Sequence, residues 1–333
     1  MVIDPQKTKT YFADASILKK FLDRQISYNE FYKLLISGKD CSTLISKSSA
    51  QGIIFKTCAY KKSNSNCDKC KLKLAIKIYI NGSSGRHEYN ILNEIKNAFK
   101  NQSNERLREA YMKRVISYKI FINYGRAALL VTKFVEFSPD RAVNMKKYLL
   151  SGNCSQLTLD CLIVEILFTL QYLHNNVPGF VHFDMLTQQV FLSRVKEDEW
   201  LPLPYQNQTF CAFMPLSRKY RGILGDFGYS NTKKNKLNKL FDYPVRTIGF
   251  DIYRFLGSVL NECKSTALED RAKLWVSKAL PNYSKILNLG IQFAIESKKD
   301  TSGYLPKEAE SLLPKSVGEI FKKFFPLQIK NIK

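Results

Sequence analysis

Three short motifs place one lysine and two aspartates at separate points of the chain. Lys77 ends the strand-like run LAIK at 74–77, Asp184 ends HFD at 182–184, and Asp226 opens DFG at 226–228. A lysine ammonium pairs with phosphate, whereas carboxylates accept protons and bind Mg²⁺. In chain order, the three motifs therefore supply residue types that suit chemistry on a phosphate group.

The apolar pattern predicts the elements that carry these motifs. Runs rich in β-branched residues predict strands at 52–55, 72–80, 116–122 and 127–135. Apolar residues at helical spacing predict helices at 16–22, 86–100, 157–176, 251–263, 267–280 and 317–325. Ser27 and Glu30 form a capping box ahead of one more helix. The run GSSG at 82–85 predicts a flexible turn, and the proline-bearing stretch 197–221 predicts an insertion or long loop.

The order of the three motifs resembles that of the eukaryotic protein kinases, over roughly residues 45–265. The resemblance implies an α+β, two-lobed fold. It divides the chain into a helical N-terminal extension at 1–45, a strand-rich N-lobe at 46–135 and a mostly helical C-lobe at 136–333, with a hinge near Glu136. The HFD loop and the helix GFDIYRF at 249–255 are similar to kinases of large cytoplasmic DNA viruses, which implies a viral protein of the host cytoplasm or the virion.

The kinase resemblance implies catalytic roles for residues of the three motifs. Lys77 would hold the α- and β-phosphates of ATP, and a glutamate on the following helix would fix the lysine side chain. Glu88 is the preferred partner of Lys77, and Glu94 is the alternative. Asp184 would orient the substrate hydroxyl and accept its proton. Asp251 would brace the loop that carries Asp184.

The same resemblance implies the residues that hold the cofactors. Asp226 and Gln189 would bind Mg²⁺ or Mn²⁺, and His182 would pack beneath Phe227 without acting as a base. The remaining ATP contacts, besides Lys77, would come from Gly52, Ile54, Ala75, Thr132, Lys133, Val135 and Phe191.

Several family positions carry other residues. In the glycine loop at 47–54 only Gly52 remains, Gln189 stands for the metal-binding asparagine, and Leu186 stands for a lysine that neutralises the transferred phosphoryl group. Phe183 replaces the arginine that reads an activation-loop phosphate, so activation by phosphorylation there is not expected. We therefore keep three hypotheses: an active serine/threonine protein kinase, a pseudokinase that binds nucleotide or only interacts, and a basic nucleic-acid-binding or virion protein on a kinase scaffold. Retention of Lys77, Glu88, Asp184 and Asp226 together favours the first.

The chain is strongly basic, with 52 Lys and Arg against 29 Asp and Glu and a net charge of +23. This charge predicts an acidic protein substrate and incidental nucleic-acid binding, although AT-rich codons alone also enrich lysine. Four lysines follow the DFG motif, at Lys233, Lys234, Lys236 and Lys239. No apolar run reaches membrane-spanning length and no secretory signal opens the chain, so we expect an intracellular protein. The sequence leaves the oligomeric state open.

Eight cysteines in 333 residues are too few for a disulfide scaffold. Cys58, Cys67 and Cys70 have the spacing of a zinc knuckle in their last pair. Cys41 or His87 would then supply a fourth ligand. Free thiols are the alternative.

Overall fold

The computed structural model describes residues 20–21, 25–37, 42–49, 52–58, 73–79, 81–123, 127–133, 135, 143–205, 208–236, 245, 247–297, 305–322, 324 and 329–332. They fall into two compact units. The first holds the described residues up to Asn93 and those from Ile116 to Val135; the second holds those from Glu94 to Val115 and from Val143 onward. The first unit is rich in strands and the second is mostly helical, so the predicted α+β class is confirmed.

The first unit is built on a five-stranded antiparallel sheet in the order β1-β2-β3-β5-β4. Helix α1 precedes the sheet, and helix α2 lies between β3 and β4 in the chain. The elements are α1 Tyr28–Ile36, β1 Thr43–Ser49, β2 Gly52–Cys58, β3 Lys73–Tyr79, α2 Gly82–Asn101, β4 Tyr118–Asn123 and β5 Ala128–Lys133. The part of α2 from Glu94 onward belongs to the second unit. The apolar pattern predicted this one helix between two strands, at 86–100.

Helix α1 covers one face of this sheet. The Ser27 side chain accepts a hydrogen bond from the amide of Glu30, which confirms the predicted cap. Successive strand residues point to opposite faces, and one face joins α1 in a single apolar core of Phe21, Phe31, Leu35, Phe55, Leu74, Ile76, Ile78, Ile120, Ile122, Leu129 and Val131. The helix that the sequence assigned to an extension is therefore part of the core of the first unit.

Helix α2 begins at Gly82, where the sequence predicted a flexible turn. The Asn81 side chain accepts from the amide and the hydroxyl of Ser83, which satisfies a donor at the start of the helix. A Cβ at Gly85 would lie 2.6 Å from the Cβ of Ala128, so glycine permits close packing there. The turn prediction was wrong because these small residues serve capping and contact instead of flexibility.

The second unit is organised around one buried helix, α5. All residues of α5 from Thr158 to Leu173 are buried. The elements of the second unit are α3 Glu105–Met112, α4 Met145–Leu150, α5 Gln156–Asn176, β6 Val190–Arg194, β7 Glu199–Tyr205, β8 Gln208–Met214, β9 Tyr220–Leu224, α6 Ile248–Cys263, α7 Glu269–Ala279, α8 Tyr283–Ser297, α9 Val317–Phe321 and β10 Ile329–Ile332. Among the described residues α5 alone is long and apolar enough to cross a membrane; 89% of its apolar window is buried inside the protein, as in a core helix.

Strands β7 and β8 form a β-hairpin within the stretch 197–221, where the sequence predicted an insertion or long loop without strands of its own. Strands β7 and β8 pair antiparallel, and β10 joins them on the other side of β8. Pro202 and Pro204 hid this strand from sequence reasoning. Because β7 is an edge strand, its prolines remove no hydrogen bond from a central ladder.

A buried ion cluster attaches this hairpin to α5 and to the segment after α3. Arg114 contacts Glu165 at 2.9 Å and Glu199 at 2.8 Å. Arg218 contacts the same two carboxylates, at 3.5 and 2.8 Å, and Arg221 also pairs with Glu199. These pairs explain why residues 94–115, which the sequence assigned to the N-lobe, group with the second unit.

Candidate functional site

Lys77 and Glu88 form a buried ion pair in the first unit. The Lys77 Nζ lies 2.8 Å from the Glu88 Oε2, and the two side chains are only 10% and 5% exposed. The hydroxyl of Tyr79 donates to the same carboxylate oxygen, and the Lys77 ammonium lies 5.0 Å from the centre of the Tyr79 ring. The strand lysine is therefore held in one position by a helix carboxylate and a neighbouring aromatic ring.

Glu94, the alternative partner of Lys77, has other contacts. Its Oε1 accepts a hydrogen bond of 2.7 Å from the Thr232 hydroxyl and another from the Asn235 side chain, all within the second unit. The Thr232 hydroxyl also accepts from the amide of Asn235 at 2.9 Å. The C-terminal half of α2 is thereby joined to the segment that follows the DFG motif.

The partners of Thr232 predict the effect of a negative charge at that position. Thr232 is buried, so Thr232→Glu would place a second carboxylate against Glu94 and remove a donor. We expect a loss of about 1–3 kcal/mol of stability, measured by thermal unfolding, with no gain in activity. Ser277→Glu, on the exposed side of α7, is the control and should change neither. A more active Thr232→Glu protein would contradict the expectation that this segment needs no phosphate.

The sheet register brings four predicted nucleotide contacts to one face. Ile54 lies directly opposite Lys77 across β2 and β3, and Ala75 lies opposite Thr132 across β3 and β5. Since Ala75 and Lys77 are two residues apart on one strand, all four side chains share the face of the sheet that does not contact α1. An apolar surface beside a fixed ammonium suits a base joined to phosphates.

The other predicted contacts of the first unit lie at the ends of strands. Lys133 is the last residue of β5, paired with Leu74, and Val135 is half-buried just beyond it. Gly52 opens β2, where any Cβ would collide with the carbonyl oxygen of Ile78. Close packing against β3 is thus a sufficient reason for glycine at this position.

Asp251 holds the loop that carries Asp184. From α6, its two carboxylate oxygens accept the backbone N–H groups of His182 and Phe183 at 2.8 and 2.9 Å. Phe183 has a φ of 64°, a conformation that a bulky residue rarely adopts without such support. Burial raises the pKa of Asp251 although both N–H groups favour its ionised form. The helix aspartate therefore braces the loop, as predicted.

The loop of HFD and the loop of DFG contact each other through His182 and Gln189. The His182 Nε2 is 3.1 Å from the carbonyl oxygen of Gly225, and its ring centre lies 5.2 Å from that of Phe227. The amide of Gly225 donates to the carbonyl of Gln189 at 3.0 Å. His182 therefore has the packing role that the resemblance implied. Asp226 is the residue after Gly225, and its backbone is left-handed with a φ of 55°.

Asp184 lies between an amide and a guanidinium. The Gln189 Nε2 donates to its Oδ2 at 2.6 Å, and the Arg254 Nη2 lies 3.6 Å from its Oδ1. Burial raises the pKa of Asp184 above its ordinary value, and the charge of Asp226 acts in the same direction. Because the carboxyl becomes more basic, it is a better proton acceptor near neutral pH.

The donor set of the second unit fits a divalent cation bound together with phosphates. The Gln189 amide nitrogen is committed to Asp184, so the amide oxygen is the atom available to a metal, and Asp226 supplies a carboxylate. Within the described residues no group of three or more His, Cys, Asp or Glu side chains is placed to hold a metal alone. A cation here would depend on phosphate oxygens for its other ligands, as Mg²⁺ commonly does.

The predicted ATP contact of the second unit is Phe191, which lies half-buried on β6, opposite Ile223.

Arg254 is the site residue that sequence reasoning missed. It follows Asp251 by three residues on α6, so the two side chains share a face of the helix. This spacing within GFDIYRF was the available signal. Several predictions lie outside the described residues. They concern Lys239, the hinge at Glu136, most of the helix at 16–22, and Cys41, Cys67 and Cys70 of the zinc hypothesis. The side chains of Cys58 and Lys133 are also outside the described part of the chain.

No protein-family model matches the chain, and no curated protein matches its sequence. Among solved structures, it is similar to a Plasmodium kinase domain at 15% identity and a TM-score of 0.43, over 84% of this chain and 92% of that one. It is similar to the BubR1 kinase domain at 14% identity and a TM-score of 0.38, over 62% of this chain and 53% of that one. At these values neither similarity bears on the chemistry, for which the contacts above are the basis.

Proposed function

We propose that this chain is a protein kinase that transfers the γ-phosphoryl group of ATP to serine or threonine hydroxyls. The observation that carries the proposal is the buried pair of Lys77 and Glu88, at 2.8 Å. Withdrawing two charges from water costs more than their attraction returns unless geometry and hydrogen bonds are favourable. A surface ion pair would contribute to stability with a smaller desolvation penalty. The buried position of the Lys77 ammonium beside Glu88 is therefore best explained by a phosphate ligand.

Each site residue has a separate role in the proposed phosphoryl transfer. Lys77 donates to phosphate oxygens, and Glu88 keeps its ammonium in place. Asp184 accepts the proton of the substrate hydroxyl as the new O–P bond forms and the bond between the γ-phosphorus and ADP breaks. Asp226 and the amide oxygen of Gln189 would hold Mg²⁺ or Mn²⁺, which neutralises phosphate charge when bound.

Acidic proteins are the proposed substrates. Lys233, Lys234 and Lys236 are exposed just after the DFG motif, and the chain carries a net charge of +23. Such a surface steers anionic partners and is screened by salt over roughly 8 Å at physiological ionic strength. The same charge supports incidental nucleic-acid binding.

The second candidate is a nucleotide-binding pseudokinase or a basic scaffold of a virion. Two observations favour it: one oxygen of Asp184 already accepts a hydrogen bond from Gln189 at 2.6 Å, and Leu186 supplies no charge. The proposed viral origin, with the virion or host cytoplasm as location, rests on the sequence resemblance. Detection of the protein in purified particles tests that origin.

Nucleotide binding and transfer test the two candidates. Millimolar ATP with Mg²⁺ or Mn²⁺ should raise the melting temperature of the wild type, because a ligand at a hundred times its Kd adds about 2.7 kcal/mol of stability. Lys77→Met should lose most of this gain, whereas Lys278→Met, which removes an exposed lysine of α7, should keep it.

Radiolabelled ATP with a panel of acidic and basic proteins, at low and physiological salt, then measures transfer. Transfer of label to acidic proteins that decreases as the salt concentration rises would support both the kinase activity and the acidic substrate class. Stabilisation by ATP without transfer to any protein would favour the pseudokinase. A wild-type protein that no nucleotide stabilises would contradict both enzyme and pseudokinase.

A further inference from the structure

Arg254 is the cation that contacts the proposed catalytic aspartate. It lies on α6 one turn after Asp251, and its Nη2 is 3.6 Å from the Asp184 Oδ1. The two side chains are 20% and 23% exposed, so both are largely withdrawn from solvent yet accessible at one side. One helix thus supplies both the carboxylate that braces the loop and a guanidinium beside its functional residue.

The hydrogen-bonding capacity of this guanidinium is poorly used. The distance of 3.6 Å is an ion-pair contact and exceeds that of a good hydrogen bond. The Arg254 Nε is buried and has no hydrogen-bond partner among the described residues. The Nε atoms of Arg114, Arg218 and Arg221 in the ion cluster also lack a partner in the described part of the chain, so this atom alone does not distinguish Arg254. Arg254 differs in that its side chain is 20% exposed and its guanidinium meets Asp184 only at 3.6 Å, which leaves donors that an anion at this site can use.

The catalytic loop has no cation of its own at the expected position. Leu186 stands where a lysine would neutralise the transferred phosphoryl group. Within the described part of the chain, the charged or titratable groups that act most on Asp184 besides Arg254 are His182, whose ring contacts the carbonyl oxygen of Gly225, and Asp226, which carries a negative charge. Arg254 is therefore the group whose charge and donors match what Leu186 lacks.

We propose that Arg254 is a catalytic residue that binds the γ-phosphoryl oxygens of ATP, supplying from α6 the cation absent at Leu186. The inference rests on the proposed function. A guanidinium carries two parallel donors that fit phosphate oxygens. The alternative, that Arg254 only neutralises Asp184, requires no contact with nucleotide and makes a different prediction for binding.

The test compares ADP with AMP-PNP, an ATP analogue that is not hydrolysed, by titration calorimetry in Mg²⁺. Arg254→Met should weaken AMP-PNP by roughly ten- to hundredfold while ADP binding is unchanged, since only AMP-PNP carries the γ-phosphoryl group. Adding Leu186→Lys to Arg254→Met should recover much of the AMP-PNP affinity and of kcat. Arg108→Met, which removes an arginine from an exposed pair on α3, is the control and should change neither affinity.

Each result bears on the inference. Equal weakening of ADP and AMP-PNP by Arg254→Met, or failure of Leu186→Lys to restore the difference, would show that Arg254 acts only on structure. If Arg254→Met does not fold, Arg254→Lys keeps the charge and the apolar stem and should bind AMP-PNP more weakly than the wild type while its ADP affinity is unchanged; an equal loss of both affinities in Arg254→Lys would overturn the inference. A wild type that binds neither nucleotide would overturn the proposed function as well.

Discussion

Asp184→Asn should lower the rate of phosphoryl transfer by about 10²–10⁴-fold, the range of general acid–base catalysis. The asparagine keeps the shape of the side chain and its contact with Gln189, but it cannot accept the proton of a substrate hydroxyl. Lys77, Glu88 and Asp226 are unchanged, so the stabilisation by Mg²⁺ and ATP should remain. Initial rates with radiolabelled ATP, alongside thermal shifts of both proteins, measure the two effects.

Asp270→Asn is the matched control, because it removes the same charge from a fully exposed position on α7. It should leave both the rate and the thermal shift unchanged. Transfer by Asp184→Asn at the wild-type rate would mean that Asp184 is not the proton acceptor. Loss of ATP stabilisation together with the rate would mean instead that the carboxylate is needed for binding.

Glu165→Gln should destabilise the second unit by about 3–5 kcal/mol, the cost of removing one partner from a buried ion pair. Glu165 is fully buried and pairs with Arg114 and Arg218, which would then share Glu199 with Arg221. In the wild type the amide of Gly222 donates a hydrogen bond of 3.0 Å to the Glu165 carboxylate. Glutamine has almost the same side-chain volume, and its amide oxygen can still accept this hydrogen bond. The loss therefore measures charge and not packing.

Urea unfolding followed by far-UV circular dichroism checks this expectation. Glu105→Gln removes a glutamate of the same type from a solvent-exposed pair with Arg108, where the side chain is 73% exposed. Exposed pairs contribute about 0–1 kcal/mol, so this control should unfold almost as the wild type does. A Glu165→Gln protein as stable as the control would show that the cluster of arginines tolerates the missing charge.

Local pattern alone determined much of this molecule. The buried helix α5, the strands that carry Lys77 and Thr132, and the cap at Ser27 follow from apolar periodicity and short-range hydrogen bonding, which lie within a few neighbouring residues. Three short motifs in order were sufficient to predict the α+β class and to single out Asp184 and Asp226. The periodicity, the cap and each single motif are contained in one continuous stretch of sequence, whereas the α+β class followed from the order of the motifs and from the kinase resemblance that this order carries.

Contacts between distant residues were decided only by the tertiary structure. The sequence preferred Glu88 over Glu94 as the partner of Lys77, and the structure pairs Glu88 with Lys77 and Glu94 with Thr232. Arg254 contacts Asp184, which is 70 residues away in the sequence. Glu199, on a strand that contains prolines, contacts Arg114, which is 85 residues away. No local pattern encodes these pairs, because the energy of a buried charge depends on which opposite charges the fold brings within a few ångströms.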